Sequence, residues 1–396
     1  MGLENDVETL FGYERSESLA PLDLMQSILD QIYQGTTAVG LVAIGSEGAV
    51  LKAKRKNYEY AIKIAHPRFL RAQEHVKIFS VFKYEKETQN SFRARFVNGC
   101  EVHRYLEQQI EHEKPGYFAV PKVVEILEKP ILLVLMEFVH GINLLRYIAE
   151  RKNLKESLAL YRQMLECVRF FHRCGVLHRD IKPDNILITG SGGRPKLCFV
   201  DWTLSRFKDV SKNTIPGVHM GTLPYAAPKL IMEGNAQLAN ESDDVYGCGI
   251  MLYEFLHFKK APRPKNYADL CTSKAAREQY IRQLAAGIPA IFQQVFTRAT
   301  AEDEKSRYNK IDPMIFDLDK ILQQEDYLEQ IAIDAMDLPQ IRKMVLDHAQ
   351  ILRALENIGN ENKADALAAI LKDHKIAKIA VPLYRAILAT VRKGKS

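Results

Sequence analysis

Long hydrophobic runs are missing from this chain. The longest, Ile131 to Val139, is interrupted by Glu137 and falls well short of the roughly 20 apolar residues that a membrane helix needs. It reads as a buried strand, and no membrane insertion is expected. Cysteine is scarce and unpatterned: the six residues from Cys100 to Cys271 contain no CxxC pair and no metal-ligand spacing with histidine. That speaks against a zinc site and for reduced thiols. A dominant charge is missing too. Against 49 Asp and Glu stand 55 Lys and Arg, a net of +6, so no specific nucleic-acid partner is expected. No GxxxxGK[ST] run occurs, which excludes a P-loop. The opening MGLENDVETL is acidic and shows no secretory pattern. Asp6 stands where a myristoylation motif wants Ser or Thr, and a cytoplasmic location is the expectation.

What is present can bury a large core: 396 residues, 47% of them hydrophobic, suggest more than one structural unit. From Thr36 to Ile64 the pattern predicts three antiparallel strands around a Gly-bearing turn and a polar turn. Residues 68–96 are helical in period but rich in Arg and Lys, and "GCEVHRYLEQQI" carries apolar positions at helical spacing. "PKVVEIL" and "ILLVLMEF" complete a small five-stranded sheet with a helix packed on it. From about Leu144 the chain turns mainly helical, with one strand pair, "NILIT" and "KLCFV", joined by "GSGGRP". After Gln324 the composition changes, and helices are expected near 339–359, 361–376 and 380–393. The prediction is an α+β chain: an N-terminal extension over 1–35, a domain over 36–324 split near 139 into a sheet lobe and a helical lobe, and a helical tail over 325–396.

"LHRDIKPDNILI", residues 177–188, packs a His, two Asp, an Arg, a Lys and an Asn into a short loop before a strand. Phosphoryl transfer gives that density a use: a carboxylate to receive or orient a hydroxyl, a cation to offset phosphate charge, and an amide oxygen for Mg²⁺. Asp180, Lys182 and Asn185 fit those three roles.

The run resembles the catalytic loop of the eukaryotic-type protein kinase family, H-R-D with Asn five residues after the Asp. Further stations of that family occur in order over about residues 36–324. The resemblance implies a bilobal protein-kinase-like fold, ATP and Mg²⁺ as ligands, and a protein Ser/Thr acceptor. "AIGSEGAVLKAK" is similar to the Gly-rich loop, with Gly45, Gly48 and Val50 matching and Ala43 where the first Gly would stand. "AIK" places Ala61 in the nucleotide site and Lys63 at the α- and β-phosphates. Glu101 is the candidate to hold Lys63, with Glu74, Glu85 and Glu87 as rivals. Met136 matches the gatekeeper, Glu137 and Val139 the hinge, and Leu187 the adenine side of the cleft. Asp201, sixteen residues after Asn185, matches the Asp of D-F-G and would share Mg²⁺ with Asn185.

Trp202 replaces the usual Phe, and by resemblance it packs among Tyr105 and His178. Thr203 replaces Gly. A β-branched residue is strained at φ > 0, so residue 203 is expected at φ < 0 with Asp201 held inward. "GTLPYAAPK" matches the end of the activation segment, with Thr222 near Asp180 and Lys182. Lys229 stands where the family has a Glu that pairs with the residue matching Arg307, so either Arg307 has another acid, "EDE" being one source, or the segment is held differently. Asp244, with Asp243 as rival, matches the Asp beneath the catalytic loop. Arg179 can meet a phosphate on Ser211 or Thr214. The leading reading is a protein Ser/Thr kinase, with 325–396 expected either to pack on the helical lobe or to serve as a surface for a regulatory or dimer partner. A pseudokinase scaffold and a small-molecule kinase of the aminoglycoside or choline type are the alternatives.

Overall fold

The structure is a computed structural model that describes residues 3–12, 22–45, 48–66, 89–190, 195–208, 221–231, 239–264, 269–324 and 327. Two short helices open it, α1 (Leu3–Gly12) and α2 (Leu22–Ile32). Strands β1 (Thr37–Ile44), β2 (Gly48–Arg55) and β3 (Tyr58–Ala65) come next, then helix α3 (Gln89–Glu113). The short β4 (Phe118–Ala119) precedes β5 (Val123–Leu127) and β6 (Leu133–Glu137). The five longer strands form an antiparallel sheet in the order β1-β2-β3-β6-β5.

Alternation along the strands decides what each face of this sheet meets. On one face Leu51, Ala53, Ile62, Ile64, Leu133 and Leu135 are buried against Val7 and Leu10 of α1 and Met25, Ile28 and Leu29 of α2. The N-terminal extension is thus part of the sheet lobe's core. Its apolar side chains sit at helical spacing, and each fully buried one contributes about 1.5–3 kcal/mol of transfer free energy. The opposite face, with Ala61, Ala65, Val134 and Met136, packs against Phe92, Phe96 and Cys100 of α3. Lys63, between Ile62 and Ile64, falls on that second face.

After the hinge come β7 (Ile142–Asn143), α4 (Leu144–Arg151) and α5 (Leu154–Arg173). Next are β8 (Val176–Leu177), β9 (Ile186–Thr189), β10 (Lys196–Phe199) and β11 (Arg206–Phe207). They form a β4-β10-β9-β7 sheet and a β11-β8 pair under the cleft. Asn143 caps α4 by accepting from the Leu145 and Arg146 N–H groups. Helix α6 (Pro228–Ile231) precedes α7 (Glu241–His257), which starts in a capping box between Asn240 and Asp243. Helix α7 is buried along nearly its whole length, and α5 is bound to it by Ser157 Oγ donating to the Phe255 carbonyl at 2.7 Å and Tyr161 OH to that of Cys248 at 2.9 Å.

The remaining helices are α8 (Asp269–Thr272), α9 (Lys274–Ala285), α10 (Ala290–Ala299) and α11 (Ile311–Leu322). The chain divides into two compact units, Met1–Gly287 with Val295–Phe316, and Ile288–Gln294 with Asp317–Ser396. The residues that line the cleft described below all belong to the first. The helical readings for 68–88 and for the tail fall outside the described residues. No helix among the described residues is long and apolar enough to cross a membrane.

Candidate active site

Strand β8 delivers the chain to His178, and α7 holds the loop that starts there. Asp244 accepts the His178 N–H at 2.9 Å and the Arg179 N–H at 2.7 Å, while its Oδ2 lies 2.8 Å from His172 Nε2. Burial opposes ionisation of Asp244, but the hydrogen bond and charge of His172 outweigh it and hold the carboxyl below its usual range. Asp243, the rival, points elsewhere. Arg179 takes φ 65°, a left-handed turn, and ties the loop by donating from Nε to the Leu204 carbonyl at 2.6 Å.

The turn brings Asp180 into a compact network. Its Oδ1 accepts from Thr222 Oγ1 at 2.8 Å, and its Oδ2 from Lys182 Nζ at 2.6 Å and Asn185 Nδ2 at 2.9 Å. Lys182 Nζ also reaches Thr222 Oγ1 at 2.7 Å. Burial works against the Lys182 charge, yet the Asp180 carboxylate raises its pKa above the ordinary value. Asn185 spends Nδ2 on the Asp180 carboxylate and carbonyl, which leaves Oδ1 as its atom for a cation.

These groups line an open cleft of about 560 Å³. Gly45, Gly48, Val50, Ala61 and Lys63 reach it from the sheet lobe, Met136, Glu137 and Val139 from the hinge, and Leu187 and Asp201 from the helical lobe. Val42, Val200 and Leu204 line it too, and nothing in their local sequence marks them out. Gly45 and Gly48 bond reciprocally through their backbones, at 2.9 and 3.3 Å. A side chain at residue 48 would meet the Ile64 carbonyl oxygen at 2.4 Å, so close strand approach alone requires glycine there. At the hinge the Glu137 and Phe138 N–H groups donate to the carbonyls of Lys122 and Glu59, at 2.9 and 3.1 Å.

Glu101 does not join the cleft. Its side chain is exposed and meets Arg104 Nη1 at 3.4 Å. The inner face of α3 carries Phe92, Phe96, Cys100, His103 and Leu106, and Glu101 lies about 100° around the helix from Cys100. Cys100 is what faces Lys63, across a void of about 10 Å³ shared with His103 and Thr203. Burial pushes the Cys100 thiol up to about 12, so it stays neutral. Glu74, Glu85 and Glu87 lie outside the described residues. Lys63 Nζ instead lies 2.8 and 2.9 Å from the Asp201 carboxylate oxygens and 2.7 Å from Thr203 Oγ1.

Burial would raise the Asp201 carboxyl. The Lys63 charge and the hydrogen bonds from Lys63 and Thr203 more than reverse this and hold it well below the carboxylate range. Two oxygens from Asp201 and one from Asn185 are a hard donor set suited to Mg²⁺. Thr203 is absent from the positive-φ residues, and Asp201 faces inward, as its β-branched neighbour leads one to expect. Trp202 packs among His178 (centroids 4.6 Å, tilted), Phe171 (5.0 Å, edge-on) and His103 (6.0 Å, tilted). Tyr105 is not in that cluster and packs edge-on against Phe207 at 5.2 Å, the same register correction as for Glu101.

Lys229 and Arg307 are not left as facing cations. Lys229 Nζ lies 3.2 Å from Asp243 Oδ2 and 3.0 Å from Glu304 Oε2, and Arg307 Nη1 lies 3.7 Å from Asp243 Oδ1. Arg307 also donates to the Ala301 carbonyl from Nε at 3.0 Å and from Nη2 at 2.9 Å. Asp243 therefore sits between the two cations as the acid of the anchor. Burial raises its carboxyl to about 6 against the pull of Lys229 and Arg307. Ser211 and Thr214 lie outside the described residues.

Residues 37–325 match the protein kinase domain family. This chain belongs to that family. Among curated relatives, serine/threonine-protein kinase PrkC of Bacillus subtilis is 24% identical over 289 residues, 72% of this chain and 41% of its own length. PknL of Mycobacterium tuberculosis is 30% identical over 53% of this chain and 50% of its own length. PknD of Chlamydia caviae is 27% identical over 53% of this chain and 23% of its own length. The chain thus spans from under a quarter to about half of these relatives. Among solved structures, the kinase domain of Mycobacterium tuberculosis PknI aligns with a TM-score of 0.44 at 18% identity, over 72% of this chain and 95% of that one.

Proposed function

We propose that the chain is a protein serine/threonine kinase that transfers the γ-phosphoryl group of ATP to a protein hydroxyl. One observation carries the reading: Asp180, Lys182, Asn185 and Thr222 converge at one end of a cleft whose other wall holds the Lys63–Asp201 pair. Adenine would sit between Ala61 and Leu187 beside Met136. With the Glu137 and Phe138 N–H groups turned away, the Val139 backbone and the Glu137 carbonyl are the groups offered to it. Lys63 would meet the α- and β-phosphates. Asn185 and Asp201 would hold Mg²⁺, which offsets charge on the phosphates. Asp180 orients the acceptor hydroxyl. As its oxygen bonds to the γ-phosphorus and the bond to the β–γ bridging oxygen breaks, the hydroxyl proton passes to the Asp180 carboxylate. Lys182 places a cation beside the transferring group, and Thr222 holds Asp180 and Lys182 in register on the peptide side.

Lys182 and the Thr222 platform favour a protein Ser/Thr acceptor over a small molecule. Intact Lys63, Asp180, Asn185 and Asp201 weigh against a pseudokinase scaffold. Arg179 supports control by an activation-segment phosphate. Burial and the neighbouring Arg206 and Arg95 lower its pKa to about 9, a strain that an anion would relieve.

The test is label transfer from γ-labelled ATP with Mg²⁺ to a basic protein substrate, beside D180N. Transfer that is lost in D180N with nucleotide binding retained is expected; equal labelling in both proteins refutes the assignment of Asp180. Nucleotide binding without transfer in the wild type would favour the scaffold.

A further inference from the structure

We infer that Thr203 anchors Lys63 in place of the α3 carboxylate, so that the turn carrying Asp201 positions the lysine and α3 does not. The functional meaning of this anchor rests on the kinase reading, but its geometry stands apart from it.

An ammonium has three hydrogens to place, and a buried one left without acceptors is costly. Lys63 is 8% exposed and has three acceptors within reach: Asp201 Oδ1 at 2.8 Å, Asp201 Oδ2 at 2.9 Å and Thr203 Oγ1 at 2.7 Å. The Thr203 hydroxyl is itself 2.5 Å from Asp201 Oδ1. It can donate its single hydrogen to that carboxylate and accept from Lys63 with a lone pair, closing a three-membered ring of partners. The Thr203 N–H reaches the same Oδ1 at 3.2 Å. Beside the Asp201 carboxylate, Thr203 thus supplies the third acceptor without adding a second negative charge next to the ammonium.

No carboxylate from the described residues of α3 competes. Glu101 goes to Arg104, and Glu107 accepts the Val123 N–H at 3.0 Å. Opposite Lys63 the helix offers Gly99, Cys100 and His103. Gly99 explains how α3 is nevertheless placed: a Cβ there would lie 2.4 Å from the Trp202 carbonyl oxygen and 2.8 Å from Thr203 Cα. Helix backbone rests directly on the turn, so shape locates the helix while the turn's own hydroxyl locates the lysine.

The bland alternative is that Thr203 only fills space and caps Asp201. The experiment compares T203V, which keeps the shape and loses the hydroxyl, with T203S, which keeps the hydroxyl, and E101Q. Two readouts are taken on the full chain: acylation of Lys63 by an amine-reactive reagent without nucleotide or metal, read by peptide mass spectrometry, and the separate KM for ATP and kcat. T203V is expected to raise both the acylation rate of Lys63 and the KM for ATP by about tenfold, the scale of one hydrogen bond to a charged group, with a smaller change in kcat. T203S and E101Q are expected within about twofold of wild type, as surface or hydroxyl-retaining changes should be. Wild-type acylation in T203V, or an effect of E101Q equal to that of T203V, overturns the inference. If T203V gives no cooperative melt, T203A serves in its place under the same criteria. A wild-type chain that transfers no phosphate would sink the kinase reading and leave the acylation result to decide this one.

Discussion

Replacing Lys229 tests whether Asp243 is the acid that holds the activation segment's end. Lys229 keeps 16% side-chain exposure, while the Asp243 side chain is at 0% and that of Arg307 at 1%. Breaking a fully buried ion pair costs about 3–5 kcal/mol, because the remaining charge stays desolvated. Here the cost is smaller: Lys229 is partly wet, and Asp243 keeps the Asn240 N–H at 2.8 Å and Arg307. K229M should therefore lose about 2–3 kcal/mol near pH 7.5. The loss should depend on pH. The folded Asp243 carboxyl, at about 6, stands above its ordinary 3.8, so its contribution to stability is full below 3.8 and is lost as pH rises through 6. Removing Lys229 raises that carboxyl further and deepens the loss at high pH, so the K229M penalty should shrink toward pH 5. K229E should be worse than K229M, since it sets a third carboxylate beside Asp243 and Glu304. Adding D243N should recover part of it by leaving an acid to face Arg307. Urea unfolding from pH 5 to 8, run as a double-mutant cycle, reads all of this. A pH-independent penalty, or strictly additive K229E and D243N effects, would refute the bridging role of Asp243.

The packing makes three other perturbations informative. G99A should shift α3 away from the Asp-Trp-Thr turn at a cost of about 1–3 kcal/mol, and the fluorescence of Trp202, the only tryptophan in the chain, should move with it; an unchanged spectrum and midpoint would contradict the contact. M25A should lose about 2–4 kcal/mol in denaturant unfolding if α2 is part of the sheet lobe's core, whereas a peripheral helix would lose less than 1. Burial opposes protonation of His172, but its contacts with Asp244 and with Glu241, itself paired to Lys208, raise its pKa above 6.5. Its stabilising effect is therefore full below 6.5 and fades as pH rises through the folded value, so H172N should lower Tm more at pH 6 than at pH 8.5. The reverse order would refute the pairing.

The polar loop around Asp180 could be read directly, because its residues are nearly consecutive and their spacing survives any packing. Strand alternation likewise announced the five-stranded sheet and put Lys63 on one strand. Register around α3 was another matter. That helix is polar on much of its surface, so "EVHRYLEQQ" offers two faces about 100° apart; Leu106 belongs to the buried face with Cys100 and His103, whereas Glu101, chosen for its spacing to Tyr105 and Leu106, points into solvent. The acid beside Lys229 was only half legible. Glu304 belongs to the "EDE" run beside Arg307, but Asp243 was considered for the catalytic loop and its neighbour Asp244 does that work.

The sequence by itself carried the family resemblance, and through it the candidates for phosphoryl-transfer chemistry, because Asp180, Lys182, Asn185 and Asp201 stand at the matching distances along the chain. Tertiary structure decided the partners. Lys63 and Thr203 are 140 residues apart, Lys229 and Glu304 are 75 apart, and α1 with α2 must find a sheet face formed later in the chain. A buried charge takes its acceptor from whichever element packing brings within about 3 Å, and distance along the sequence does not say which element that is.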